Sequence, residues 1–215
     1  MRADELHQYA LSHIAIKRKA AEEDSRRSLY RIFYYDCPPV NGISIKQPWN
    51  GRNATFSTKR SSGKWRKEFL DALASKRKVA MRMGTVSFRN ARFIPSEAAM
   101  SDLANGERSF SQLGKDDFVL TGVKQEGVDM RIGLDIASLA SGGIVDQVVL
   151  IAGDCDFIPV AKVARRGGVD FILDPMGHSV HPDMVIQVDG VEDLTKCEAV
   201  DNSVIPIATQ DYQTN

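Results

Sequence analysis

Cysteine is scarce in this chain: Cys37, Cys155 and Cys197 are the three among 215 residues. They are odd in number and widely spaced, which excludes a disulfide framework and a zinc site built from cysteine pairs. No run of eighteen apolar residues occurs, so no transmembrane helix is expected. The opening MRADELHQYALSHI is charged and lacks the apolar core of a secretory signal. Together these absences predict a protein of the reducing cytoplasm that does not enter a membrane. Histidine is also sparse, at four residues, and no Ser, Cys or His is set out as a nucleophilic triad. His178 and His181, spaced HSVH, read as surface groups of a loop. There is no internal repeat and no low-complexity tract.

What is present is balanced overall and lopsided along the chain. Lys plus Arg and Asp plus Glu number 28 each. Residues 1–92 hold 20 cations against 8 acids, and residues 93–215 hold 8 against 20. A basic half suits phosphate backbones and an acidic half suits metal ions, unless the two halves pair with each other.

The stretch QVVLIAGDCDFIP, residues 147–159, is the most informative. Its β-branched run predicts a buried strand ending near Gly153. Asp154 and Asp156 follow, then the amphipathic segment FIPVAKVARR, closed by Gly167 and Gly168. This strand, turn and helix place both carboxylates at the carboxyl edge of a strand, where open α/β sheets hold their ligands. Two acids one residue apart on a tight turn suit a hard divalent cation, which prefers oxygen. The competing structural reading has Asp156 capping the helix and Asp154 serving the turn.

Elsewhere the pattern predicts a helix over residues 3–24, on which Leu6, Ala10, Ile14 and Ala21 recur at helical spacing, a strand over 29–36, and a long polar loop from Val40 to Gly63. A helix over 64–77, a strand over 79–88 and an irregular stretch over 90–115 follow, the last with a short helix near 96–103. A strand over 117–123 precedes a helix over 128–140. Buried strands over 148–151 and 169–173 come next, then a short strand over 184–188 and a polar tail from about 199. Such alternation predicts an α/β fold with a parallel sheet. It would gather the acids that end strands, Asp36, Asp154, Asp156 and Asp174, along one rim. Asp129 opens the 128–140 helix on the stripe of Ile132 and Ile136, pointing along that rim. Asp135 lies about 240° further round the helix and shares a stripe with Arg131, as in an ion pair.

The three motifs LYRIFYYDCPP, QEGVDMRIGLDIASLA and VVLIAGDCDFIPVAKVARRGG together resemble bacterial NYN-domain proteins, part of the PIN-like superfamily of metal-dependent ribonucleases. The resemblance spans about residues 29–190, and HPDMVIQVDGVEDL is similar to the family's closing element, with Asp183 ahead of a short strand. It implies a Rossmann-like three-layer α/β/α sandwich with a mainly parallel sheet. Residues 1–198 would form one domain and 199–215 a polar tail. It also implies hydrolysis of RNA phosphodiesters at a Mg²⁺ or Mn²⁺ site held by Asp129, Asp154 and Asp156, with Asp135 as a weaker fourth carboxylate. In that family a first strand bearing an Asp precedes the helix that here starts at Ala3, so a member lacking that strand and its Asp is expected. The missing Asp keeps open a catalytically impaired RNA-binding or regulatory module on the same fold. A phosphatase of the haloacid-dehalogenase kind also uses Asp-x-Asp after a strand. It requires Thr or Val two residues after the second Asp, and here Phe157 and Ile158 follow Asp156.

The stretch KQPWNGRNATFSTKRSSGKWRK, residues 46–67, interleaves cations with Trp49, Phe56 and Trp65. That suits a single RNA strand, with bases stacked and phosphates neutralised. Lys59, Arg60, Lys64, Trp65, Arg66 and Arg82 are the candidate RNA contacts, and Arg89 and Arg92 would extend the basic face. The target RNA and any homo-oligomeric state stay open.

Overall fold

The structure, a computed structural model of the chain, describes residues 1–15, 28–40, 43–56, 60–152 and 154–196. The expected continuation of the first helix to residue 24 and the expected tail lie outside the described residues. Helix α1 (Ala3–Ala15) is followed by β1 (Ile32–Asp36), β2 (Ile43–Lys46), β3 (Asn53–Phe56) and α2 (Arg60–Ala74). Strands β4 (Val79–Met83), β5 (Thr85–Ser87) and β6 (Arg92–Pro95) lead to α3 (Glu97–Ala104), β7 (Phe118–Thr121) and β8 (Lys124–Glu126). Then come α4 (Val128–Ser141), β9 (Gln147–Ile151), α5 (Ile158–Arg166), β10 (Asp170–Asp174), α6 (Pro182–Val185) and β11 (Gly190–Val191). The α/β class is as expected: helices mixed with small sheets, of which β11-β10-β9 is parallel.

The chain divides into two compact units. The first takes the residues up to Tyr34, Phe69–Met81 and those from Asp129 onward. Its centre is β10, paired with β9 from Asp170↔Gln147 to Asp174↔Ile151. Phe171, Ile172 and Leu173 are all buried although successive side chains face opposite ways, so β10 is covered on both faces. Helix α4 turns Ile132, Ile136 and Ala140 inward at a spacing of four. Helix α5 does the same with Val160, Ala161 and Ala164. A Cβ on Gly167 would stand 3.4 Å from Ala140 Cβ and 3.2 Å from the Ala164 carbonyl oxygen. The tight neighbour is the Ala164 carbonyl of α5 itself, whereas Ala140 of α4 stands at ordinary van der Waals distance.

The carboxyl end of β10 carries a polar knot. Asp174 is fully buried. Its Oδ2 accepts from Tyr9 Oη at 2.6 Å and lies 2.7 Å from His13 Nε2. A carboxylate only accepts, so Nε2 carries the proton. Oδ1 accepts the Met176 N–H at 2.8 Å, across a turn in which Met176 itself adopts φ 49°. His13 Nδ1 lies 3.7 Å from Glu192 Oε2. Tyr9 and His13 are one helical turn apart, share a face of α1 and are buried. The sequence pattern instead favoured the stripe Leu6, Ala10 and Ile14, which is half-buried. Asp174 is therefore an interior anchor, which corrects its expected place on an acidic rim.

The second unit, Tyr35–Glu68 and Arg82–Val128, is built from antiparallel pairs. The loop expected from Val40 to Gly63 contains the pair β2–β3, in register from Ile43↔Phe56 to Lys46↔Asn53. The single strand expected over 79–88 is broken at Gly84, where a Cβ would meet the Glu126 carbonyl oxygen at 2.7 Å and Val128 Cγ2 at 2.8 Å. Beyond that break β5 pairs with β8. The stretch read as irregular contains β6, paired with β7, and α3, whose N-cap Ser96 accepts from the Ala99 N–H. Ala99, Leu113 and Phe118 form this unit's buried core, against which Trp49, Phe93 and Leu103 pack. Arg108 grips Asp117 with two bonds, at 2.8 and 2.9 Å, and reaches Asp102 at 3.3 Å.

The segment 184–188, expected as a strand, is instead the end of α6 and its exit. His181 Nδ1 accepts the Asp183 N–H at 3.2 Å and Pro182 takes the first helical position, so the chain is capped into a helical turn. The strand that pairs with β10 comes later, at Gly190–Val191.

Two stability measurements test this reading. Asp174→Ala removes the acceptor shared by Tyr9 Oη, His13 Nε2 and the Met176 N–H and should cost roughly 3 kcal/mol or more in urea unfolding, against about 1 kcal/mol for Tyr9→Phe. The Arg108 guanidinium, helped by the Gly114 amide, holds the Asp117 carboxyl below its usual range. A lowered folded value contributes stability that is complete above the unfolded value, about 3.9, and is lost as pH falls through the folded one. Arg108→Ala should therefore flatten the decline of melting temperature below about pH 4; an unchanged acid limb would refute the pairing.

Candidate metal centre

Strand β9 delivers the chain to an acidic turn. At its end the Ala152 N–H donates to the Asp174 carbonyl oxygen at 3.1 Å, continuing the parallel ladder by one residue. Asp154 Oδ1 then accepts the Asp156 N–H at 3.0 Å and caps a single 3-10 turn, Cys155–Phe157. The structural reading of these acids thus holds in part with its roles exchanged: Asp154 is the cap, and Asp156 lies in the turn that it caps. Phe157 is buried and pins the turn to the unit, while Pro159 occupies the first turn of α5. Asp154, Cys155 and Asp156 are all exposed.

One ligand atom from each of these three residues lies within 4.8 Å of the other two. The donor set suits a hard divalent cation through its two carboxylates; the softer thiol is the poorer partner for such an ion. Asp154 spends one oxygen on the turn and keeps the other. Exposure leaves room for the waters and phosphate oxygens with which such an ion completes its coordination. The residues present therefore fit a divalent metal, with Asp154 and Asp156 as its holders.

The remaining predicted residues are distributed differently. Asp129 is exposed in the first turn of α4, and Asp135 is half-buried two turns on. Neither belongs to the close group of Asp154 and Asp156. In the second unit, Asp36 accepts the Cys37 N–H at 2.7 Å and pairs with Arg66, so it is bound locally. His181 is spent on its cap.

Of the predicted RNA contacts, Lys59 lies outside the described residues, and Arg60 opens α2 with its side chain outside them. Lys64 and Trp65 are exposed on α2, Trp65 by 53%, and Lys64 stands 3.7 Å from Glu68. Arg66 is held by Asp36, and Arg82 is half-buried in β4. Trp49 lies edge-on to Phe93 with centroids 5.1 Å apart and 5.3 Å from the Phe118 ring. It is a packing residue, which removes it as a stacking platform for bases; the Phe56 side chain lies outside the described residues.

Tyr9 and His13 are the residues that sequence reasoning missed. Their one signal was a polar pair at i and i+4 on a helix otherwise read by its aliphatic residues.

No helix among the described residues is long and apolar enough to cross a membrane. No match to the chain was found among curated proteins or among solved structures. The NYN domain family model matches residues 49–181, more than half of the chain, and takes in Asp129, Asp135, Asp154 and Asp156. NYN domains are nuclease-like and RNA-related, and PIN-like nucleases in general use divalent metal ions. The chain belongs to the NYN-domain family of the PIN-like superfamily.

Proposed function

We propose that this protein is a metal-dependent ribonuclease that hydrolyses phosphodiester bonds of single-stranded RNA in the cytoplasm. The observation that carries the reading is the exposed Asp154–Asp156 pair on a side-chain-capped turn at the carboxyl end of a parallel strand. In this reading residues 1–198 form one NYN domain of three-layer α/β/α type with a mainly parallel sheet, followed by a polar tail.

Asp154 and Asp156 would hold Mg²⁺ or Mn²⁺, joined by Asp129 and, more weakly, Asp135. When bound, such an ion offsets phosphate charge and lowers the pKa of a coordinated water. The chain's own residues supply the setting. The Asp156 N–H orients the Asp154 carboxylate, and the buried Phe157 keeps the turn from shifting. Exposure on the open side admits a polyanion. Within the second unit, Lys64 and Trp65 are exposed and would offer a phosphate contact and a stacking face; Lys59, Arg60, Arg66 and Arg82 complete the proposed RNA-contact set.

A second reading, an RNA-binding module without catalysis, is favoured by one observation: Asp129 stands outside the close carboxylate group. A single experiment separates the two. End-labelled single-stranded RNA is incubated with the protein in Mn²⁺, in Mg²⁺ and in chelator, beside Asp154→Asn/Asp156→Asn. A ribonuclease cleaves only with metal, and the double variant loses more than about 100-fold, beyond the 10–100-fold typical of residues that merely support metal ligands. Cleavage that survives in the variant overturns the proposed site. Binding without cleavage, indifferent to chelator, establishes the module instead. Asp129→Asn should weaken Mn²⁺ affinity measured by calorimetry; an unchanged affinity removes it from the ligand set.

A further inference from the structure

The half of the chain that follows residue 92 is poor in cations, and three of its eight, Lys162, Arg165 and Arg166, fall within five residues of α5. Their spacing of three and four puts them on one face of the helix, opposite the buried Val160, Ala161 and Ala164. They border an open depression of about 650 Å³ floored by Val169 and edged by Asp170 and Asp189.

Both acids of the depression are already engaged. Asp189 takes Arg165 Nε at 2.9 Å on one oxygen and the Phe171 N–H at 2.9 Å on the other. Asp170 accepts from the Gln147 side-chain amide. Arg165 also donates to the Gln187 carbonyl oxygen at 3.2 Å, so its guanidinium is fixed before any ligand arrives. Lys162 and Arg166 are exposed, and neither has an ion pair among the described residues. The negative end of a helix dipole accounts for the two arginines of the last turn. It does not account for Lys162, a turn earlier on the same face, or for the depression.

We infer that this depression is a second contact surface for the phosphate backbone of an RNA strand, held by Lys162 and Arg166 with Arg165 as a fixed third cation. The inference rests on the ribonuclease reading for its ligand. Helix α5 begins two residues after Asp156 and is roughly 13 Å long at about 1.5 Å per residue. A strand whose phosphate sits at the acidic turn can therefore follow the helix to the depression. The shallow, open form favours a polymer over a free phosphate, which two exposed cations would hold weakly.

The test is fluorescence anisotropy with labelled single-stranded RNA, in chelator and over a range of salt. Lys162→Gln/Arg166→Gln is compared with wild type and with Lys115→Gln/Lys124→Gln, which removes two exposed cations elsewhere. Loss of two phosphate contacts should lower the slope of log K against log salt by about 1.4, at about 0.7 per contact for a single strand, and weaken binding at least tenfold at low salt. Equal thermal melts establish that the variant is folded, and Lys162→Gln alone, expected to lower the slope by about 0.7, serves if the double variant is not. An unchanged slope, an equal loss in the control pair, or no RNA bound by wild type overturns the inference. So does release of RNA by inorganic phosphate at the phosphate concentration at which unlabelled oligonucleotide releases it. Unaltered binding with metal-dependent cleavage intact would sink this surface and leave the ribonuclease reading standing. A lowered slope in a protein that cleaves with no metal would do the reverse.

Discussion

A carboxylate with no access to water governs the parallel part of this protein. Asp174 ends β10 in the interior, where a polar side chain is tolerated only if its oxygens are hydrogen-bonded. Three donors meet that demand: Tyr9 and His13 from α1, and the backbone of Met176. The requirement reaches in two directions. It fastens an N-terminal helix to a strand some 160 residues later, and it holds Met176 in the left-handed region, which non-glycine residues seldom adopt.

Two neighbouring strands of one sheet thus end in acids with opposite fates. The β10 carboxylate is the last residue of its strand and is enclosed. The β9 carboxylates come three and five residues after Ile151, on a turn beyond the ladder, and are exposed. An enclosed carboxylate satisfied by protein donors has little to offer a metal, whereas an exposed pair keeps oxygens available. The turn after β9 therefore keeps carboxylate oxygens open to solvent, while the β10 carboxylate holds the elements around it.

The cations sort in a similar way. Arg66 with Asp36, Arg108 with Asp102 and Asp117, and Arg165 with Asp189 are arginines whose forked donors are used to fix structure. Lys64, Lys162 and Arg166 are exposed, with at most a loose helical pair at Lys64. An arginine engaged with a carboxylate and a cation left exposed are thus not told apart by composition, and the split into basic and acidic halves does not locate the charge open to a polyanion.

By itself the sequence determined the β9–α5–β10 unit, the inward stripe of α4 and the acidic turn. These depend on short-range pattern: β-branched runs, a 3.6-residue period, and acids at a fixed offset from a strand end. The family was legible for the same reason, since its motifs are local strings. Tertiary structure alone decided which acids are free. Asp174 and Asp154 look equivalent in sequence, and they are told apart by Tyr9 and His13, which pair with Asp174 across more than 150 residues. It also decided that Gly84 breaks a strand, that Trp49 packs on Phe93 and Phe118, and that the segment after His181 turns into a helix. The first two follow from long-range neighbours that no local window contains. The third follows from a cap that outweighed the β-propensity of the residues after it.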